Sequence, residues 1–520
     1  MILKYRKTGL KFTLMSCCLF TAAALSGCAT TAVEYNSSTV NEITDDTLRP
    51  TASPLEVSLP LSLDFVRSRT LSHNSEYGRA HTQLIETVRK AGQRGKDFLP
   101  QVFASSYANY RSNANASVGV KVDDTSGEMP KDFFTAQDQA IATSNFTASW
   151  DLLEIGLSGF KANRRAINAY SQGEQNQYLC NRLMVDVENA YWRAVAFEQA
   201  ETKSDWLKSR VAYGLKLSQN RADKNPDTKL QELMFQRELM DINRWYQSLY
   251  RSLISAKPDL ARLMNVPAGT EFDLQSKRLP SDLGELGTQD VTQLVSAAYK
   301  NRPEIRQSLY KADLTVLKNK EDLWRHLPAM RFFIGGNNNS NSFILNQNFA
   351  SAGANLSWDL MRLSQIGETK RKGKVDLAAD KRQTEILASA VMAQVMIARE
   401  QMHKLDYDLT LAWKALSIQS EITNDLNADV TSGKKPETYL IKEELMRELS
   451  FIREQMARAE LHTAKARLQQ SIGIVPMCRP SPSTPSVPPL STPQEASSAH
   501  AITDISPVMA WAYPIKTQEQ

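Results

Sequence analysis

Ser149-Trp150-Asp151-Leu152 and Ser357-Trp358-Asp359-Leu360 are the same four residues 208 positions apart, and the offset still holds at Gly159 and Gly367. Each copy closes a short alternating segment. In the first, Phe146, Ala148, Trp150 and Leu152 fall on one side, and Thr147, Ser149 and Asp151 on the other. In the second, Ala354, Leu356, Trp358 and Leu360 oppose Asn355, Ser357 and Asp359. Period 2 with one apolar and one polar face marks a strand. Beyond each copy the apolar spacing changes to three and four, as in Leu179, Leu183, Val187, Ala190, Tyr191 and Val195, which is an amphipathic helix. Each half therefore reads as a strand leading into one very long helix, about 60 residues or roughly 90 Å. A repeat at fixed spacing organises the rest of the chain.

Working outward, helical pattern covers about 61–98, broken at Ser72–Ser75 and followed by Leu99-Pro100. Residues 102–110 read as a strand and 111–141 as a loop rich in Asn, Ser, Gly and Asp. The long helix of the first half spans about 157–220. A turn at 221–226 sends the chain back along a helix over about 227–265. The second half repeats the scheme: a helix over about 291–325, Leu327-Pro328, a strand at 330–335, a loop at 336–347, then the strand with Trp358. Its long helix reaches about 430. Thr431-Ser432-Gly433-Lys434-Lys435-Pro436 turns it into a return helix ending near Gly473. The chain thus divides into a first repeat at 61–266, a connector at 267–288 and a second repeat at 289–474. A Pro- and Ser-rich tail at 475–520 has the composition of disorder.

The N-terminus reads as an export signal over 1–27. Lys4, Arg6, Lys7 and Lys11 precede an apolar run at 12–25 that is too short to span a bilayer. Leu25-Ser26-Gly27-Cys28 resembles a bacterial lipobox, which implies cleavage before Cys28 and acylation of that residue. Ala29 rather than Asp then implies delivery to the outer membrane, and the polar, Pro-containing stretch 28–60 reads as a tether. The formal charge of +5 falls to +1 once the signal is removed, so nothing points to nucleic acid. No later stretch is long and apolar enough for a transmembrane helix. Cys180 and Cys478 could bridge in an oxidising compartment, but structural bridges are usually denser than this, and free thiols are the expectation.

Taken in order, these features resemble the outer-membrane efflux family typified by TolC. The resemblance covers about 61–474. It rests on Asn301-Arg302-Pro303-Glu304-Ile305, the Leu-Pro before each first strand, the duplicated Ser-Trp-Asp-Leu with its trailing Gly, and the Gly433 turn. It implies a mainly α protein with a membrane β-barrel. Long helical hairpins cross the periplasm, and four strands per protomer complete a 12-stranded barrel in a homotrimer. It implies no enzyme and no cofactor. The role is a passive exit duct that takes small molecules from an inner-membrane pump of RND or ABC type through a periplasmic adaptor. The adaptor would dock on the helical tips, here Arg221, Lys224 and Pro226 on one, and Gly433, Lys434, Lys435 and Pro436 on the other. Family members close the periplasmic mouth with aspartates shortly after the Gly turn. This chain has Tyr439 and Lys442 at the matching places and Glu437 close by, so these three are the candidate gate.

The residues lead to a similar place without the resemblance. Four strands cannot close a barrel, since about eight is the smallest known. An open strand edge is not tolerated in lipid, so the chain must associate if its strands enter the membrane. Trp150 and Trp358, where strand passes to helix, suit an interfacial aromatic belt. The six histidines show no metal-ligand spacing, and there is neither a phosphate loop nor a nucleophile elbow. Two other readings stay open: the outer-membrane channel of a type I protein secretion system, and a non-conducting structural lipoprotein.

Overall fold

A computed structural model of the chain describes residues 60–93, 98–120, 131–267, 269–276 and 287–478, all within the unit that begins at Glu56. Cys28, the export signal, most of the tether, the middle of the connector and the tail beyond Cys478 lie outside the described residues.

Helices α1 (Leu63–His73) and α2 (Ser75–Gly92) come first. Asn74 separates them, and its side chain caps α2 by accepting from the Tyr77 N–H at 3.1 Å. Strands β1 (Gln101–Tyr110) and β4 (Ala140–Asp151) then pair antiparallel. The expected loop across 111–141 is corrected. Strands β2 (Ala116–Val120) and β3 (Lys131–Thr135) form a separate hairpin within it. Val118, Phe133 and Phe134 favour extended backbone, and the Phe134 ring lies over Gly119, where an added Cβ would stand 2.8 Å away.

In the second half β5 (Ala329–Asn339) runs past the expected end at 335, and β6 (Asn348–Ser357) comes next. Asparagine disfavours strands, yet Asn337 donates to the Ser351 hydroxyl at 2.8 Å and Asn338 to the Asn348 side chain at 2.5 Å. These cross-strand bonds carry the ladder through the Asn run. The sheet order is β1-β4-β5-β6, antiparallel throughout.

The aspartate of the repeat explains the abrupt change from strand to helix. Asp151 accepts from the N–H groups of Leu153 and Glu154 at 3.0 and 3.3 Å, so α3 (Leu152–Lys224) starts at the strand end rather than near 157. Asp359 does the same for a 3-10 turn, Leu360–Gln365, accepting from Met361 at 3.1 Å. Helix α8 (Ile366–Thr431) begins where that turn ends. By contrast Gly159 and Gly367 meet no heavy atom that a side chain would disturb, and nothing in the structure requires glycine there.

Helix α3 has 73 residues and so runs about 110 Å. It returns as α4 (Lys229–Leu253) and α5 (Ala256–Leu263). Helices α6 (Val291–Asn301) and α7 (Pro303–Trp324) precede β5, and α9 (Glu437–Ser471) returns from α8. One core cluster joins α6 and α7 to α8 and α9 through Leu294, Ile305, Val395, Met402, Leu461 and Leu468. A second joins the α3–α4 hairpin to α9 through Leu207, Val211, Leu239, Tyr246, Ile441 and Leu445. Gly214 lets these three helices touch: a Cβ there would stand 2.9 Å from Leu239 and 3.1 Å from Ile441.

At mid-length α3 is buried nearly all round, and polar groups pair there. Tyr191 donates to the carbonyls of Leu61 and Gln275 at 3.0 and 2.9 Å. Glu188 binds Arg67 and accepts from the Trp192 indole at 3.0 Å. His462 stacks on Trp192 at 4.2 Å, and burial, aided by Lys465 and Arg458, lowers its pKa to about 4, so it is neutral at physiological pH. The expectation of free thiols is corrected here. Cys180 and Cys478, 298 residues apart, form a disulfide with Cα atoms 5.6 Å apart. It pins the chain beyond α9 to α3, and packing of α9 on α3 is what brings so distant a pair together. No described helix is long and apolar enough to cross a membrane.

Candidate channel wall and helical tips

Residues directly opposite in an antiparallel ladder share a face, so the register sorts the sheet completely. One face carries Val102, Phe146, Ala148, Trp150, Ile334 and Leu356 with further alanines between them, and a single polar row, Ser106, Ser144, Asn338 and Asn348, crosses it away from the helix end. Phe146 is 59% exposed and Leu356 64%, so this apolar surface lacks cover within the chain. The opposite face carries Ser105, Asn145, Thr147, Asn337 and Ser351, with Asp151 and Arg331 paired at 3.6 Å beside the start of α3. The strands of the sheet have 10 to 12 residues, the length of a tilted strand across a bilayer, about 9–11. Within one chain β1 and β6 each pair on one side only and leave two unsatisfied edges.

Trp150 and Trp358 both lie at the helix end of this sheet. Trp150 stands opposite Phe332 on the apolar face. Trp358, just past β6, is 50% exposed and donates from its indole to the His326 carbonyl at 3.1 Å. Each ring is thus apolar on its body and satisfied or solvated at its polar end.

The far ends of the long helices form two tips. At the first, the expected turn over 221–226 is narrower. Helix α3 continues through Lys224, and Asn225 leads into a 3-10 turn, Pro226–Thr228. Lys224 and Pro226 are exposed. Arg221 is turned inward, 3.2 Å from Glu232 and 3.4 Å from the Thr438 hydroxyl. At the second tip Gly433 has φ +73°. The Gly433 N–H donates to the Val430 carbonyl at 3.0 Å and that of Lys434 to Asp429 at 2.9 Å, a glycine C-cap. Lys434 and Lys435 flank Asp429 at 3.9 and 3.1 Å, and Pro436 stands before α9 in extended conformation.

Glu437, Tyr439 and Lys442 are not gathered at one point. Each is engaged with the α3–α4 hairpin. Glu437 meets Arg210 at 3.2 Å and accepts from the Tyr213 hydroxyl at 3.0 Å. Lys442 meets Glu238 at 2.9 Å. The Tyr439 hydroxyl accepts from Gln231 at 3.4 Å. Arg210 also meets Glu444 at 2.7 Å and lies over the Tyr213 ring at 5.4 Å. The bond to Glu437, and that residue's charge, hold the Tyr213 phenol above its ordinary pKa, so it remains a donor. Arg210, Tyr213, Glu238 and Glu444 carry no motif in the sequence. Their only signal is spacing: Tyr213 stands three positions after Arg210, and Glu444 seven after Glu437, which puts each pair on one helix face. No group of three or more His, Cys, Asp or Glu able to hold a metal occurs among the described residues.

No family model and no curated protein matches the sequence. Solved structures do match. The open state of the Neisseria gonorrhoeae MtrE outer-membrane channel aligns with 79% of this chain and 89% of its own at 14% identity and a TM-score of 0.57. The Campylobacter jejuni CmeC outer-membrane channel aligns with 79% and 85% at 10% identity and 0.54. The outer-membrane protein VceC of Vibrio cholerae aligns with 79% and 96% at 11% identity and 0.53. The chain shares the fold of these outer-membrane proteins over most of its length.

Proposed function

We propose that this chain, which has the fold of outer-membrane channels, is the exit duct of a tripartite efflux system. Three copies close a 12-stranded barrel, and their long helices line a passage across the periplasm to an adaptor and an inner-membrane pump of RND or ABC type. The sorted faces of the β1-β4-β5-β6 sheet carry this reading. An uncovered apolar face and two unpaired edges have no stable state in water as a single chain. Lipid covers the first, and closure with neighbouring copies satisfies the second. Small molecules are the cargo we favour, and protein secretion is the second reading of the same duct.

We further propose that Cys28 is acylated, since Leu25-Ser26-Gly27-Cys28 comes directly after a short apolar run. A clickable fatty acid should label the wild type and not Cys28→Ala. Equal label on both would remove the lipid anchor while leaving the barrel untouched.

The adaptor docks on the tips, where the exposed turn at 432–436 is a preformed surface. Gly433→Pro forbids the positive φ and should abolish most transport with trimer content unchanged, because the turn lies roughly 100 Å along α8 from the strands. Lys434→Ala should cost far less, as rim charges act mainly on association rate. Drug susceptibility measured with trimer content decides it. Wild-type resistance in assembled Gly433→Pro would place the docking surface elsewhere.

A further inference from the structure

The polar face of the sheet contains more than polar groups. Its rows are set by the register, counting outward from the helix end. The Ser149 row contains Phe333, the Thr147 row Phe103, the Asn145 row Phe349 and the Thr143 row Tyr107. Each successive row therefore holds one aromatic ring, and the rows are about 6.7 Å apart. Phe103, Tyr107 and Phe349 are 59%, 64% and 48% exposed. The Phe333 ring reaches over the neighbouring strand, because Gly353 leaves the room: a Cβ there would stand 2.7 Å from the ring.

Charge is nearly missing from the same surface. Among the residues of β1, β4, β5 and β6 only Asp151 and Arg331 carry a full charge at neutral pH, and they neutralise each other at 3.6 Å. A surface meant for ions would present rings of charge or ligating groups. This one presents hydroxyls, amides and a staircase of rings. Aromatic side chains stack on flat solutes and attract cations through the ring face.

We infer that the polar face of the sheet is a stepped binding surface for flat aromatic solutes of low charge, one ring of Phe333, Phe103, Phe349 and Tyr107 serving each successive row. The inference rests on the duct reading above and names its cargo class. Spacing of one row is short enough for a solute to meet the next ring before leaving the last. Weak repeated contact lets a solute enter without trapping it.

The test uses full-length protein reconstituted in planar bilayers, with ethidium and tetraethylammonium as probes. Both are monovalent organic cations, and only the first has flat rings. Ethidium should block the current at a concentration about tenfold lower than tetraethylammonium. In Phe103→Leu/Phe349→Leu, which keeps apolar bulk and removes two rings, the gap should shrink to about twofold with the open conductance little changed. If that variant does not insert, Phe103→Leu and Tyr107→Leu alone should each reduce the gap about twofold. Equal block by both probes in a conducting wild-type channel would overturn the inference and leave the duct standing. So would a raised conductance with the ethidium preference intact, which would make the rings a seal. No current at all would overturn the duct reading itself.

Discussion

Gly473→Ala should leave almost no assembled protein in the outer membrane. Gly473 ends α9 with φ +73°, and an added Cβ would stand 2.7 Å from the carbonyl group of Asn301 and 2.8 Å from the nitrogen of Arg302. These are backbone atoms and cannot turn aside. They belong to the break between α6 and α7, where Arg302 adopts extended backbone and Pro303 starts the next helix. Arg302 is itself buried, paired with Glu304 at 2.7 Å and bonded to Gln394 at 2.5 Å. Asn301-Arg302-Pro303-Glu304 is therefore the seat on which the end of the second half rests. The left-handed backbone alone costs a side chain about 1–2 kcal/mol, and parting two packed segments adds to it, so a total of about 4 kcal/mol is expected. Gly433→Ala is the matched control. It has the same φ and open space around it, so it should lose only about 1 kcal/mol and assemble normally. Membrane levels and thermal unfolding of both variants check this. Wild-type stability in Gly473→Ala would show that the contact is not what sets the junction.

Arg210→Ala combined with Lys442→Ala should raise single-channel conductance two- to fivefold, by about the factor that releasing roughly 0.5–1 kcal/mol of pairing allows. Assembly should be unchanged. Arg210 is the hub, holding Glu437 and Glu444 on α9 from α3, and Lys442 reaches Glu238 on α4. These bonds fasten the α8–α9 hairpin to the α3–α4 hairpin near the tips, and in the proposed duct the mouth widens only if one hairpin moves against the other. Removing Arg210 also leaves Glu437 and Glu444 unneutralised on one face of α9, which disfavours the fastened state. The Lys442–Glu238 pair is exposed and screened by salt, whereas the Arg210 pairs are part-buried and screened less, so high ionic strength should carry the wild type only part of the way toward the variant. Equal conductance at low salt would mean that the mouth is not set by these pairs.

Much of this architecture is written locally, and therefore legible. Asp151 and Asp359 sit in the repeat because each caps the helical turn after its strand. The alternation before each fixes which side chains share a face, and the turn at Gly433 is announced by the only residue that takes its φ freely. The features that stay hidden depend on distance along the chain. Cys180 and Cys478 meet only because α9 lies along α3. Arg210 finds Glu437 across 227 residues, and charged pairs at helical spacing are too common for either to stand out. The β2–β3 hairpin is concealed by composition, since a few β-favouring residues sit among Gly, Asn and Asp. The aromatic staircase needs the register of all four strands, which no single strand displays.

Three copies sharing one barrel fix the mass of the assembly, and that mass is directly measurable. Full-length protein extracted in mild detergent and measured by light scattering, with the detergent contribution subtracted, should have the mass of three chains. A stable monomer that keeps its strand signal by circular dichroism would contradict the account, since four strands would then be satisfied without neighbours.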